Sequence, residues 1–283
     1  MRGGSTVPEL PEVETMVRGL RPAMLGRKLR RVELLDPFLV HGCPVEELAQ
    51  RVQGATVREV VRRGKWVVLT LSGTQGIIVI QPRMTGSFWL TKPDRPGHIR
   101  LVFRLEKPRA MVWFCDTRRL GKIGWYADAE AAAVAFARSH GPDALEIGRD
   151  DLRERIKRTS RGIKPTLMDQ KVLAGIGNIY ADEILHASRI HPERVARTLS
   201  TADLKRLHTA IGEVLATAIR LEGSSFDAGY RTVLGLEGGF LVQNSVYGRA
   251  ALPCRVCSQP IEKIKMTGLI GRPTYFCPRC QKR

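Results

Sequence analysis

The sequence is short of acid. Asp and Glu number 28 against 46 Lys and Arg, a formal net charge of +18 over 283 residues and a pI near 10.2. That imbalance points to a polyanionic partner. Nucleic acid fits better than a membrane surface, because no basic amphipathic anchor is present. Long apolar runs are missing too. Runs such as Trp66–Leu71 and Ile77–Ile80 are strand-sized, well below the ~20 residues of a membrane-spanning helix. No charged segment followed by an apolar one opens the sequence, so a soluble cytoplasmic protein is expected rather than a secreted one. The six histidines are scattered without pattern, and neither an internal repeat nor a low-complexity tract is found. What is present, 43% hydrophobic and 26% charged residues, supports a real core. The length suggests two domains and room for a small stapled third.

Cysteine is also sparse, and the six do not read as a disulfide framework. Cys43 and Cys115 stand alone in apolar surroundings, as inert core thiols do. The other four form Cys254-x-x-Cys257 and, nineteen residues on, Cys277-x-x-Cys280. Each pair spans a tight turn that aims two thiolates at one point, and two such turns complete a tetrahedral zinc site. Four sulfurs leave no open coordination position, so one structural Zn2+ is expected. Two disulfides would require an oxidising compartment.

Leu10–Leu20 is predicted to be a helix: Pro11 suits the first turn, Glu12 and Glu14 complement the positive end of the dipole, and Val13, Val17 and Leu20 share a face. From Leu29 to about Tyr126 the apolar period drops to two. Runs at 57–61, 66–71, 77–80, 87–90, 99–105 and 110–115, separated by turn signals such as Ser72-Gly73 and Pro93-Asp94, suggest a sandwich or barrel-like domain. Ala129–Ala137 reads as a helix leading to a linker at Gly141-Pro142. From Asp143 the pattern is helical. Its clearest helix, Ser200–Leu221, has Ser200 and Asp203 as a capping-box variant, a stripe of Leu204, Leu207, Ile211, Leu215 and Ile219, and Gly223 at its close. Residues 223–249 are Gly-rich and weakly periodic, a flexible loop by composition. The cysteine module that follows carries seven basic residues, Arg272 among them, against Glu262 alone.

Pro8-Glu9-Leu10-Pro11-Glu12-Val13-Glu14-Thr15 is, by composition, a turn entering a helix. Beside it stand Arg63-Gly64-Lys65-Trp66, Asp116-Thr117-Arg118-Arg119-Leu120-Gly121, and Leu167-Met168-Asp169-Gln170 with Gly175-Ile176-Gly177-Asn178-Ile179-Tyr180-Ala181-Asp182-Glu183. With the terminal cysteine module, and in this order, these blocks resemble the formamidopyrimidine-DNA glycosylases, bacterial enzymes that remove oxidised purines. The likeness runs from Pro8 to Lys282 and is closer than that to the endonuclease VIII relatives. It implies an α+β multidomain chain: an extension or misassigned start at 1–7, a catalytic β-sandwich domain with a leading helix at 8–138, a helix-two-turns-helix DNA-binding domain with a lesion loop at 139–238, and a C-terminal zinc-finger hairpin at 239–283. A monomer acting on double-stranded DNA that contains an oxidised purine or an abasic site is expected.

The resemblance also implies roles. Pro8 matches the nucleophile; an α-amine titrates near ~7.7–8.0, far below the ~10.4 of lysine, so more of it is neutral and reactive. Glu9 matches the acid/base, Lys65 an essential lysine beside the lesion phosphate, and Glu12 an orienting residue at the DNA-binding site. Asn178 with Lys164 and Arg272 resembles a set of phosphate contacts that helps extrude the nucleotide, Arg272 also having a catalytic part, and Tyr180 accompanies them. Met84, Arg118 and Leu120 match the wedge set that fills the space left by the extruded base; by residue type alone, Met84 and Leu120 read as core. The stretch 223–240 resembles the loop over the flipped base.

The chain also departs from the family pattern. Leu120 stands where Phe is usual, and Gln81-Pro82-Arg83 where His-Leu-Gly is usual, which bears on base preference rather than reaction class. Pro8 follows seven residues, and an acylated proline nitrogen is an amide that cannot form an iminium. Two accounts stay open: a start at Val7 with the initiator removed, or a persistent extension and a protein that binds damaged DNA without cutting it. Outside the family, the alternatives are a basic zinc-containing regulator and a metal-dependent nuclease. The latter would need clustered carboxylates, and Asp150-Asp151 and Asp182-Glu183 read as local pairs within helices.

Overall fold

The computed structural model describes residues 8–72, 76–106, 110–225, 230–266, 269 and 272–283. The question of residues 1–7 lies outside them. The chain divides into two compact units, one of residues up to 138 together with 222–239, the other of 139–221 together with 240–283.

The first unit opens with α1 (Leu10–Met24). Pro11 occupies its first turn, where a missing N–H costs nothing. Glu9 and Glu12 form a reciprocal capping box, with Glu9 N–H donating to Glu12 Oε2 at 2.9 Å. The helix continues past the expected Leu20 and across Pro22, and the chain reverses at Gly26, whose φ of 72° suits glycine. Its buried stripe of Val13, Met16, Val17, Leu20 and Met24 joins the main core.

Among the described residues nine strands follow: β1 (Leu29–Leu34), β2 (Val40–His41), β3 (Thr56–Arg63), β4 (Trp66–Ser72), β5 (Ile77–Gln81), β6 (Gly86–Trp89), β7 (Ile99–Leu105), β8 (Met111–Asp116) and β9 (Lys122–Tyr126). They make two sheets, ordered β1-β7-β8-β6 and β2-β9-β5-β4-β3. All pairs are antiparallel except β2 with β9. Val32, Leu101, Phe103, Val112 and Phe114 of the first sheet share one core with Val57, Val60, Val67, Leu69, Ile78, Ile80 and Ile123 of the second. This is the expected sandwich. A short helix, α2 (Val45–Val52), was not anticipated and buries only Leu48 and Val52. The expected Ala-rich helix is α3 (Ala129–Ser139); its Ala132 and Phe136 cover Val68, Ile77 and Val79.

The reading of 223–249 as a flexible loop needs correction over its described residues. The described part of 222–239 belongs to the sandwich unit. Tyr230 and Val233 are buried in its core, and Leu90 N–H donates to the Val233 carbonyl at 3.0 Å. Residues 226–229, part of the expected lesion loop, lie outside the described residues.

In the second unit, α4 (Arg149–Lys157), α5 (Ile163–Met168), α6 (Asn178–Ala187) and α7 (Thr201–Arg220) precede the hairpin β10 (Glu262–Ile264) and β11 (Thr274–Phe276). The α7 capping box is present, with Asp203 N–H donating to Ser200 Oγ at 3.1 Å and Ser200 N–H to Asp203 Oδ2 at 2.9 Å. No helix among the described residues is long and apolar enough to cross a membrane.

Candidate active site

Pro8 is buried at the entrance to α1, and Glu9 is 2% exposed. The Glu12 carboxylate divides its two oxygens: Oε2 accepts from Glu9 N–H, and Oε1 from Ser224 N–H at 2.7 Å. Glu12 is thus a brace between the helix start and the 222–239 stretch. It is 2% exposed, so the expectation that it touches DNA is corrected: its oxygens are taken up inside the protein. Gly223 is required there, since a Cβ would come within 2.7 Å of Glu12 Oε1 and its φ is +82°. Tyr230, also buried, donates its hydroxyl to the Glu12 carbonyl at 3.4 Å.

Lys65 sits half-buried in the β3–β4 turn beside Gly64, whose φ is 56°. One α1 residue sets that turn. Glu14 pairs with the Arg62 guanidinium at 3.1 Å, and Arg62 Nη1 donates to the Gly64 carbonyl at 3.0 Å. Proline, glutamate and lysine of the sequence expectation are therefore held by a single helix start and its charged neighbours.

The expected wedge residues sit on two loops, β5–β6 and β8–β9, which cross between the two sheets side by side, β6 pairing with β8 and β5 with β9. Met84 lies in the turn 82–86, which Gly86 N–H closes onto the Pro82 carbonyl at 2.9 Å. Arg118 and Leu120 lie in the loop after β8. Leu120 is 45% exposed and Arg118 is exposed, so Leu120 is not core. Met84 is half-buried and its Sδ lies 3.6 Å from Arg118 Nη1. Arg119, with φ 55°, donates twice to the buried Asp36 carboxylate, at 2.6 and 2.9 Å. Those bonds hold the Asp36 carboxyl below its usual range against burial, which would raise it.

In the second unit three expected contact residues meet at one place. Asn178 Nδ2 and Lys164 Nζ both donate to the Pro273 carbonyl, each at 3.1 Å, immediately after the exposed Arg272. Lys164 itself is fully buried. Its ammonium pairs with Asp182 at 2.8 Å and donates to Thr274 Oγ1 at 2.9 Å. With its side chain fully buried and its ammonium turned to Asp182, Thr274 and Pro273, the expected direct phosphate contact by Lys164 is corrected to a buried role beside the Arg272 backbone. Tyr180 is corrected likewise: it is fully buried, with its ring 5.4 Å from that of Phe240.

The pair Asp182-Glu183, read as a local pair within a helix, lies on α6 and is buried. Asp182 Oδ2 accepts from Tyr275 N–H at 2.9 Å. Glu183 collects the N–H groups of Ser245, Val246 and Tyr247 at 2.7 to 2.9 Å. Burial raises the Asp182 carboxyl to about 7, opposed by Lys164. Sequence reasoning gave no role to these residues, nor to Asp36 and Asp116, because each has a partner far along the chain that leaves no spacing to read: Tyr275 for Asp182, Ser245–Tyr247 for Glu183, Arg119 for Asp36 and Thr85 for Asp116.

The cysteines do converge. The Sγ atoms of Cys254, Cys257, Cys277 and Cys280 all lie within 4.8 Å of one another. Cys254 to Cys280 is 4.0 Å and Cys257 to Cys277 is 3.4 Å, against the edge of about 3.8 Å that tetrahedral Zn–S bonds of about 2.3 Å require. Val256 N–H and Cys280 N–H each point to a cysteine sulfur at 3.4 Å, as in a zinc knuckle. The donor set fits one structural zinc, held by the four thiolates.

Comparison with known proteins agrees across the chain. Residues 7–123 match the formamidopyrimidine-DNA glycosylase N-terminal domain, 140–228 the H2TH domain of the same enzyme, and 251–283 the zinc finger found in FPG and IleRS. The formamidopyrimidine-DNA glycosylase of Thermus thermophilus is 38% identical over 97% of this chain and 98% of its own length; that of Symbiobacterium thermophilum is 37% identical over 97% and 89%. Among solved structures, the Thermus thermophilus MutM (Fpg) crystal structure has a TM-score of 0.85 at 38% identity, covering 97% of this chain and 98% of that one. The Lactococcus lactis Fpg in complex with abasic-site DNA has a TM-score of 0.87 at 32% identity, covering 97% and 100%. With the capped helix start, the loops bearing Met84 and Leu120 and the four-cysteine hairpin all in place, the chain belongs to the formamidopyrimidine-DNA glycosylase family.

Proposed function

We propose that this protein excises oxidised purines, 8-oxoguanine and formamidopyrimidines, from duplex DNA and then cleaves the abasic site, working as a monomer on the nucleoid DNA of the cytoplasm. The observation that carries the reading is the helix start itself: Pro8 and Glu9 are buried side by side, with Glu9 fixed by the Glu12 capping box. The positive end of α1 disfavours a protonated amine beside it.

In this account the Pro8 nitrogen, as a free secondary amine, attacks deoxyribose C1′. The C1′–N bond to the damaged base breaks, its electron pair leaving with the base, and Glu9 supplies a proton to the ring oxygen so that the sugar opens. Loss of the amine proton leaves an iminium between Pro8 and C1′. It acidifies the adjacent C2′–H, so the C3′–O bond breaks by β-elimination and then the C5′–O bond by δ-elimination. Lys65 holds the neighbouring phosphate, Arg272 and Asn178 grip the strand, and Met84, Arg118 and Leu120 fill the vacated stack. The zinc, bound only by sulfur, shapes the hairpin that carries Arg272 and takes no part in the chemistry.

The test is strand scission of a duplex containing 8-oxoguanine opposite cytosine, by a chain beginning at Pro8 and separately by the 283-residue chain. Scission by the shorter protein supports the reading; none by either defeats it. Lesion binding without scission by the longer chain alone is expected while its proline nitrogen is an amide.

A further inference from the structure

The two loops that carry the wedge residues are joined by one buried carboxylate. Asp116 ends β8 with its side chain fully buried, and it pairs in register with Gly86, where β6 begins. Its Oδ1 accepts from Thr85 Oγ1 at 2.5 Å and from Arg118 N–H at 3.2 Å, and its Oδ2 from Gly121 N–H at 2.7 Å. Arg118 N–H also reaches Thr85 Oγ1 at 3.0 Å. Thr85 adjoins Met84 on one loop, while Arg118 and Gly121 bracket Leu120 on the other. Space around the carboxylate is tight: a Cβ on Gly121 would come within 3.1 Å of Oδ2, and one on Gly86 within 2.3 Å of the Pro82 carbonyl oxygen. Arg100 closes the far side, donating to the Asp116 carbonyl at 2.9 Å and lying 3.7 Å from Asp36, which in turn grips Arg119.

We propose that Asp116 is a positioning residue that fuses the 82–86 and 116–121 loops into one rigid insert, so that Met84, Arg118 and Leu120 enter the duplex together. The inference rests on the reading above, in which these side chains replace an extruded nucleotide. A buried carboxylate with three donors is a stiff junction, because removing any donor leaves charge under-satisfied. Preorganised loops insert without an ordering cost at the moment of extrusion. This matters more here than with an aromatic wedge, since Leu120 offers less stacking surface.

Thr85 allows the junction to be cut without unpairing the charge, since Asp116 Oδ1 keeps Arg118 N–H. The experiment uses the zinc-loaded 283-residue protein and a duplex with a tetrahydrofuran abasic analogue flanked by 2-aminopurine, whose fluorescence rises on unstacking; no chemistry is needed. Thr85→Val should slow that rise about ten-fold, the loss of one charge-assisted hydrogen bond, with affinity for undamaged duplex unchanged. Thr85→Ser, which keeps the hydroxyl, should restore it. Thr85→Ala serves in place of the valine variant should that not fold. A valine or alanine variant as fast as the parent overturns the proposal, as does a serine variant as slow as valine. A parent protein that gives no fluorescence change on the abasic duplex defeats the functional reading, and this inference with it.

Discussion

At the scale of single residues, the site is a set of carboxylates assigned different tasks by what surrounds them. Glu9 caps α1 beside Pro8, Glu12 braces it, and Glu14 reaches through Arg62 to the turn that bears Lys65. Glu9→Gln is expected to bind lesion-containing duplex as the parent does and to release base at least ~100-fold more slowly, the usual contribution of an acid/base group; single-turnover excision measures it. Full-rate excision by that variant would overturn the assignment. Lys164 gives a contrasting case. As half of a fully buried pair with Asp182, its replacement by Met should cost roughly 3–5 kcal/mol of stability in denaturant titration, where loss of a surface phosphate contact would cost almost none. Pro8, Glu9 and Lys65 were legible in the sequence because they fall in contiguous blocks. Asp116 and Glu183 were not: Glu183 gathers backbone N–H groups more than sixty residues away, and Asp116 takes the hydroxyl of Thr85 from another loop, so neither leaves a local spacing to read.

Among elements, apolar runs and turn signals located β3 to β8 to within one or two residues, while β1, β2 and β9 were not singled out. Periodicity failed for α2, where eight residues bury only Leu48 and Val52, too few to set a period. It failed also for 222–239, where glycine-rich composition masked the anchoring of Tyr230 and Val233 in the sandwich core. The α7 start was legible and carries a pH prediction. Burial pushes the Asp203 carboxyl up, but Ser200 N–H and hydroxyl and the Arg194 guanidinium outweigh it and hold it down at about 2. A depressed folded-state value stabilises above the unfolded value near ~3.9 and is lost as pH falls from there to about 2. Asp203→Asn should therefore flatten that part of the acid unfolding curve and cost about 1–2 kcal/mol at neutral pH. An unchanged acid limb would contradict the assignment.

Across the whole molecule, the +18 charge sets how DNA is held. Affinity should fall steeply with salt, and each phosphate contact removed should lower the slope of log K against log salt by roughly 0.9. Arg272→Ala is expected to show that drop equally on damaged and undamaged duplex, whereas Leu120→Ala should weaken only lesion-containing complexes; fluorescence anisotropy across a salt series separates the two. The proposed reaction turns on a covalent step at one nitrogen, and borohydride reduction reads that step most directly. Incubated with abasic-site duplex and borohydride, protein beginning at Pro8 should become irreversibly linked to the DNA, with peptide mass mapping placing the sugar on Pro8. Failure to cross-link, or attachment at a lysine instead, would contradict the account.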